Sequence, residues 1–114
     1  MVSGTLTEDE VDRVFHALAD GTRRDILRRT AQREQSISAL ARHYAMSLPA
    51  VQKHVAVLER AGLVAKRRRG REQLLVGDPG TIRKAADLLG AYEALWADRI
   101  DRIADLLGEE GTAP

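Results

Sequence analysis

The sequence predicts a mainly α-helical fold carrying one small β-hairpin, on three observations. Apolar residues recur at helical spacing in five stretches, most of them opened by a residue able to cap a helix. Two short strand-like runs, 63–65 and 74–76, flank a turn built around Gly70. The 114 residues are 44% hydrophobic and 31% charged, the proportions of a chain that folds around one core. The expected order is four helices, two strands and a last helix, within one domain: a core over 8–78, a helical region over 79–107 and a frayed tail over 108–114.

Thr7-Glu8-Asp9-Glu10 has the capping-box pattern, so the first helix starts there, and Val11, Val14, Phe15 and Leu18 then form one apolar stripe. Asp20 before Gly21-Thr22 caps a second helix, which runs to about Gln32 with Ile26 and Leu27 among Arg23, Arg24, Arg28 and Arg29. Ser38 is the expected cap of a short third helix with Leu40, Ala41 and Tyr44 on one face. Ser47 caps a fourth over about 48–60, with Pro49 in the first turn and Val51, Val55 and Leu58 inward. Gly62 ends it in the left-handed conformation, letting Leu63 pack back on the helix.

Asp78-Pro79 opens the last helical pattern, in which Ile82, Ala85, Leu89, Tyr92, Trp96, Ile100, Ile103 and Leu107 recur at steps of three and four. As a single helix these 26 residues would extend about 39 Å. That outruns a domain of this size, and Gly90 offers a point of division into two helices. Leu88, Leu95 and Leu106 widen the stripe beyond what a small core covers, so a partner helix is expected.

Two short helices separated by a turn at Ala45-Met46-Ser47 have the layout of a helix-turn-helix, whose second helix enters a DNA major groove. The following hairpin makes a basic wing, with Lys66, Arg67, Arg68, Arg69 and Arg71 close together. Net charge is only +1, but residues 42–75 hold eight Lys and Arg against two Asp and Glu, while 1–41 hold six against seven and 76–114 four against eight. Positive charge concentrated on one segment is the footprint of a polyanion partner, here double-stranded DNA.

The first half of a groove-entering helix presents short or flat polar groups to base edges, and Ser47, Pro49, Ala50, Gln52, Lys53 and His54 are placed for it. Gln pairs with adenine N6/N7, Lys with guanine O6/N7, and Ala50 or the Pro49 ring can meet a thymine methyl. Gln52 and Lys53 are the first choices. His54 has two readings, a phosphate contact and packing at the edge of the core. Alternation along a strand turns only about half of the basic run to one side. Arg69 and Arg71, nearest the tip, are assigned to the minor groove, and Lys66 and Arg67 to phosphates.

The segments 15–27, 47–58 and 61–64, with Leu40-Ala41 and Gly70-Arg71, together resemble the bacterial ArsR-type winged helix-turn-helix transcriptional regulators, in particular their metal-independent autorepressor-like branch. The likeness spans about residues 12–107. It implies a homodimeric repressor of an inverted-repeat operator, joined through the first and last helices with Val11, Val14, Phe15, Leu89, Tyr92, Trp96, Ile100, Ile103 and Leu107 at the interface. Three departures matter. Ala45 replaces the family's usual Gly in the turn, Gln52-Lys53 replaces a Ser-Gln pair, and the Cys, acidic and His motifs of the metal sensors are missing, with no His after His54.

Zero cysteines exclude disulfides, thiolate metal sites and thiol nucleophiles, and they fit a reducing cytoplasm. No apolar run reaches the roughly 20 residues of a bilayer span and 1–10 lacks a signal-peptide pattern, so a soluble cytoplasmic chain without membrane contact is expected. Asp12 and His16 amount to half a metal site, the serines are caps or turn residues, and neither phosphate-loop glycine pattern occurs. No enzyme activity, cofactor or metal is therefore expected. Tyr92 and Trp96 leave room for a small-molecule effector, though an apolar helical stripe is first of all an interface. The rival reading is a protein-interaction module that uses this stripe and binds DNA only weakly.

Overall fold

A helix start leaves backbone amides without partners, and here side chains supply them. In the computed structural model, which describes residues 5–111, Thr7 caps α1 (Glu8–Leu18) with both bonds of the capping box, Thr7 Oγ1 accepting from the Glu10 amide at 3.2 Å and Glu10 Oε1 from the Thr7 amide at 2.9 Å. Asp20 Oδ2 accepts from the Arg23 amide at 3.0 Å and caps α2 (Gly21–Gln32). Strand β1 (Gln35–Ser36) leads into α3 (Ile37–Ala41), whose cap is Ser36 and not the expected Ser38. Ser36 has extended backbone geometry, which lets its Oγ reach the Ala39 amide at 3.1 Å, whereas Ser38 already lies inside the helix. Tyr44, expected on a face of α3, falls beyond its end in the turn.

Ser47 caps α4 (Leu48–Arg60), accepting from the Ala50 amide at 3.3 Å, with Pro49 in the first turn. Gly62 ends α4 at φ +77°, and the Gly62 and Leu63 amides donate to the carbonyls of Glu59 and Leu58, each at 3.0 Å. These are the two bonds of a Schellman stop.

Strands β2 (Val64–Arg69) and β3 (Glu72–Gly77) form the hairpin, longer than the expected runs because pairing extends from Val64↔Gly77 to Arg69↔Glu72. The basic run is thus mostly strand and not loop. Gly70 opens the two-residue turn at φ +62°, which a type II′ hairpin demands of that position. The sheet has a third member: β1 pairs antiparallel with β3 through Gln35↔Leu75 and Ser36↔Leu74, giving the order β1-β3-β2. Two residues carry no periodicity, so the sequence held no sign of this strand.

The core joins Val14 and Ala17 of α1, Ile26 of α2, Leu40 of α3, Val51, Val55 and Leu58 of α4, and Leu63 and Leu75 around the sheet, all with no exposed surface. Val14, expected at a subunit interface, belongs to this core, since its position on α1 faces α2 and α4. Val11 and Phe15 lie partly exposed beside it.

Helix α5 (Pro79–Gly111) is one unbroken helix of 33 residues. Gly90 does not divide it; an interior Gly costs about 1 kcal/mol, a loss that the good helix formers around it offset. Nor does it fray from Gly108, as helix continues through Gly111, and the rest of the expected frayed tail, 112–114, lies outside the described residues. Beyond Ala85, which is buried, α5 leaves the core as an arm, and the molecule measures 76 × 38 × 23 Å.

Replacing Gly62 by Ala puts a Cβ into a left-handed backbone and 3.3 Å from Thr81 Oγ1. A loss of about 1–2 kcal/mol in urea unfolding is expected, with Gly90→Ala, which meets nothing within 4 Å, neutral or stabilising in the same measurement.

Candidate nucleic-acid interface

Burial of Val51, Val55 and Leu58 fixes the rotation of α4 and turns Gln52 and Lys53 out into solvent. Ser47 and Pro49 are exposed at the start of the helix, and Ala50 is half-buried. Among the described residues neither Gln52 nor Lys53 has a side-chain hydrogen bond or ion pair, so both are free to meet a ligand.

His54 is placed differently from its neighbours. Its Nδ1 lies 3.3 Å from Arg23 Nη1 and 3.8 Å from Asp20 Oδ2, and only 24% of the side chain is exposed. An arginine has only donors, so Nδ1 accepts. The same guanidinium donates to the carbonyls of Ala17 at 2.8 Å and His16 at 2.9 Å. Through Nδ1, His54 braces α4 against the α1–α2 corner.

In the wing the basic residues divide. Lys66 Nζ lies 3.6 Å from Glu59 Oε1, and Arg67 Nη2 donates to Glu34 Oε2 at 2.6 Å, so both assigned phosphate contacts already have carboxylate partners. Arg68 Nε bonds the Gly70 carbonyl at 3.3 Å. Arg69 and Arg71 at the hairpin end are exposed and, among the described residues, hold no acidic partner. Between α4 and the wing lies a cleft of about 260 Å³, whose walls include Ser36, Ser38, Gln52, Arg71 and Gln73. Sequence reasoning missed Ser36, Ser38 and Gln73 as part of this surface, because only the β1–β3 pairing brings them beside α4.

A second missed group holds the turn before α4. Asp25 Oδ2 accepts from the Tyr44 hydroxyl at 2.6 Å and from Arg29 Nε at 2.8 Å, and Oδ1 accepts from Arg28. The Tyr44 bond first, then the two arginines, hold the Asp25 carboxyl well below the usual carboxylate range.

Along α5, Leu89, Tyr92, Leu95, Trp96, Ile100, Ile103, Leu106 and Leu107 are all about half or more exposed. A groove of about 730 Å³ between α2, β3 and the start of α5, with Leu18, Leu27, Leu63 and Val76 in its walls, adjoins this stripe at Ile82. Among the described residues no helix is long and apolar enough to cross a membrane, and no group of three or more His, Cys, Asp or Glu could hold a metal ion.

The helix-turn-helix domain family matches residues 18–67. The HTH-type transcriptional regulator Rv2034 of Mycobacterium tuberculosis is 38% identical over 100 residues, covering 88% of this chain and 91% of that protein. The solved ArsR-like transcriptional regulator from Rhodococcus sp. RHA1 superposes with a TM-score of 0.77 at 34% identity, covering 86% of this chain and 92% of that one. The chain belongs to the ArsR-type winged helix-turn-helix transcriptional regulators. This ArsR-type regulator is a DNA-binding protein and not an enzyme. A related solved structure, the homodimeric winged helix-turn-helix DNA-binding domain of Mb0332 from Mycobacterium bovis, has a TM-score of 0.62 at 32% identity and covers 75% of this chain and 80% of its own.

A carboxyl held low in the folded state contributes stability above its ordinary value of 3.8, and that contribution is lost as pH falls. Glu10 and Asp20, lowered chiefly by the cap amides, act in the same direction. Urea midpoints should therefore fall steeply between about pH 4 and pH 2. Asp25→Asn should flatten this limb while lowering the midpoint at neutral pH.

Proposed function

We propose that this regulator is a homodimeric repressor that sets two α4 helices into successive major grooves of an inverted-repeat operator, roughly 34 Å apart, and lays its hairpins along the flanking minor grooves. Bound there, it occludes a promoter in the cytoplasm. The observation that carries the reading is the unpaired polar face of Gln52 and Lys53 beside a wing whose terminal arginines, Arg69 and Arg71, are likewise unpaired. Gln52 and Lys53 read bases, with Ser47, Pro49 and Ala50 against the backbone and thymine methyls. Arg69 and Arg71 enter the minor groove. Lys66 and Arg67 contact phosphate only by giving up Glu59 and Glu34, so they contribute less.

The α5 stripe supports pairing with a second copy, because so many contiguous large apolar side chains left in water mark an interface. The groove ending at Ile82 continues that stripe and offers the partner's helix a seat. The homodimeric Mycobacterium bovis relative supports the same assembly. Independence from metal rests on the absence of cysteine and of any His after His54.

Selection of bound duplexes from a random DNA pool, with light scattering for mass, tests the proposal. A dimer that enriches an inverted repeat supports it; a monomer that enriches nothing but binds a heterologous helix makes the chain an interaction module instead. Lys53→Ala should lose about 1–3 kcal/mol of discrimination at one base position per half-site. Arg69→Ala should weaken operator and random DNA alike and reduce the salt slope by about 1 per protomer, with Arg67→Ala doing less. Ile100→Glu should give monomers, read by the same mass measurement.

A further inference from the structure

The turn between α3 and α4 decides where the reading helix points, and it lacks the glycine that such turns often contain. Among the described residues only Gly62 and Gly70 have positive φ, so Ala45 supplies no left-handed corner. The Arg42, His43 and Tyr44 amides close onto the carbonyls of Ala39, Leu40 and Ala41 at 3.3, 3.1 and 3.2 Å, which winds the chain out of α3 but fixes nothing relative to the rest of the molecule.

Tyr44 makes that outside connection. Its hydroxyl donates to Asp25 on α2 at 2.6 Å, and Asp25 is held in turn by Arg29 Nε at 2.8 Å and by Arg28. The Arg29 guanidinium lies 6.0 Å from the centre of the Tyr44 ring, so one arginine braces both members of the pair. Burial first, then Asp25, pushes the Tyr44 hydroxyl up to about 12, so at neutral pH it is protonated and donates. A second tie runs from the same helix, Arg23 to His54 at 3.3 Å. Helix α4 is therefore fastened to α2 at two places, just before its N-terminus and in its second turn. Burial of Val51, Val55 and Leu58 sets the rotation of α4, and these two polar ties add to it by holding the N-terminal half of the helix against tilt relative to α2.

We infer that the Tyr44–Asp25 pair is a positioning clamp for sequence readout: it substitutes for the missing turn glycine and holds Gln52 and Lys53 at the angle that base-edge bonds require. The inference rests on the reading of α4 as the base-reading helix. Base-edge hydrogen bonds weaken steeply once their angles fall off, whereas attraction to phosphates is carried by charge and tolerates small shifts. Neither Tyr44 nor Asp25 need touch DNA for this.

The test uses the full chain and two probes, a duplex enriched by the wild type from a random pool and a random-sequence duplex of equal length, with thermal melting of each variant as a control for folding. Tyr44→Phe should lower the ratio of enriched to random affinity about fivefold, the worth of one ordinary hydrogen bond, and leave the salt slope unchanged. Asp25→Ala should do the same, and Tyr44→Phe with Asp25→Ala together should lose no more than either alone. Asp25→Asn, which keeps an acceptor for the hydroxyl, should hold the ratio within about twofold. A partly unfolded variant loses binding to both probes equally and leaves the ratio unmoved. An unmoved ratio in Tyr44→Phe, or losses that add in the double variant, overturns the clamp. A wild type that enriches no sequence, or whose discrimination is unchanged at every base position by both Gln52→Ala and Lys53→Ala, overturns the role of α4, and the clamp with it.

Discussion

Everything on the proposed DNA-facing side depends on how α4 packs. Val51, Val55 and Leu58 have no exposed surface, and at 3.6 residues per turn their burial leaves one rotation of the helix in which Gln52 and Lys53 face out. The hydrophobic term thus does more than stabilise the fold, because it selects which polar residues are offered to a ligand. The Ser47 cap and the Gly62 stop set the helix's two ends, so its length is as closely specified as its rotation.

Charge is arranged by a different logic. Eight cations sit between residues 42 and 75, yet the structure sorts them by whether a carboxylate is near. Glu59 and Glu34 occupy Lys66 and Arg67 at the base of the wing, and the tip is left bare. Exposed ion pairs of this kind contribute little to stability. What they do is occupy Lys66 and Arg67 beside α4 and the α2–β1 connection, while Arg69 and Arg71 near the tip hold no acidic partner among the described residues. The cleft between α4 and the wing joins the two surfaces into one.

The parts of the fold legible in the sequence were those with a repeating signal or a required conformer. The capping box at Thr7, the Asp20 and Ser47 caps, Gly62 and Gly70 each have a local reason to be where they are, and the structure keeps them. What was hidden depends on contacts distant in sequence. The two-residue β1, the Ser36 cap that follows from it, and the 19-residue link from Asp25 to Tyr44 exist only once α2, the sheet and the turn are assembled. Val14 shows the limit from the other side. Periodicity placed it correctly on an apolar stripe, but a stripe does not say whether its own core or a partner covers it, and here the core does.

In α5 the stripe is left uncovered by its own chain. Among the described residues only Ala85 of this helix is buried, and past it the side chains from Leu89 to Leu107 repeat with no surface of the same chain to meet. A radius of gyration of 20.2 Å, against about 13 Å for a compact chain of roughly 100 residues, records the same fact as a length. Thirty-three helical residues make a rod of about 50 Å, far longer than the core it springs from. Covered by its own copy, it would fix the separation of two winged cores, and with it the spacing at which two α4 helices could meet a duplex. An interrupted helix at Gly90 would transmit no such distance, so on the proposed reading its continuity there would matter as much to recognition as Gln52 and Lys53.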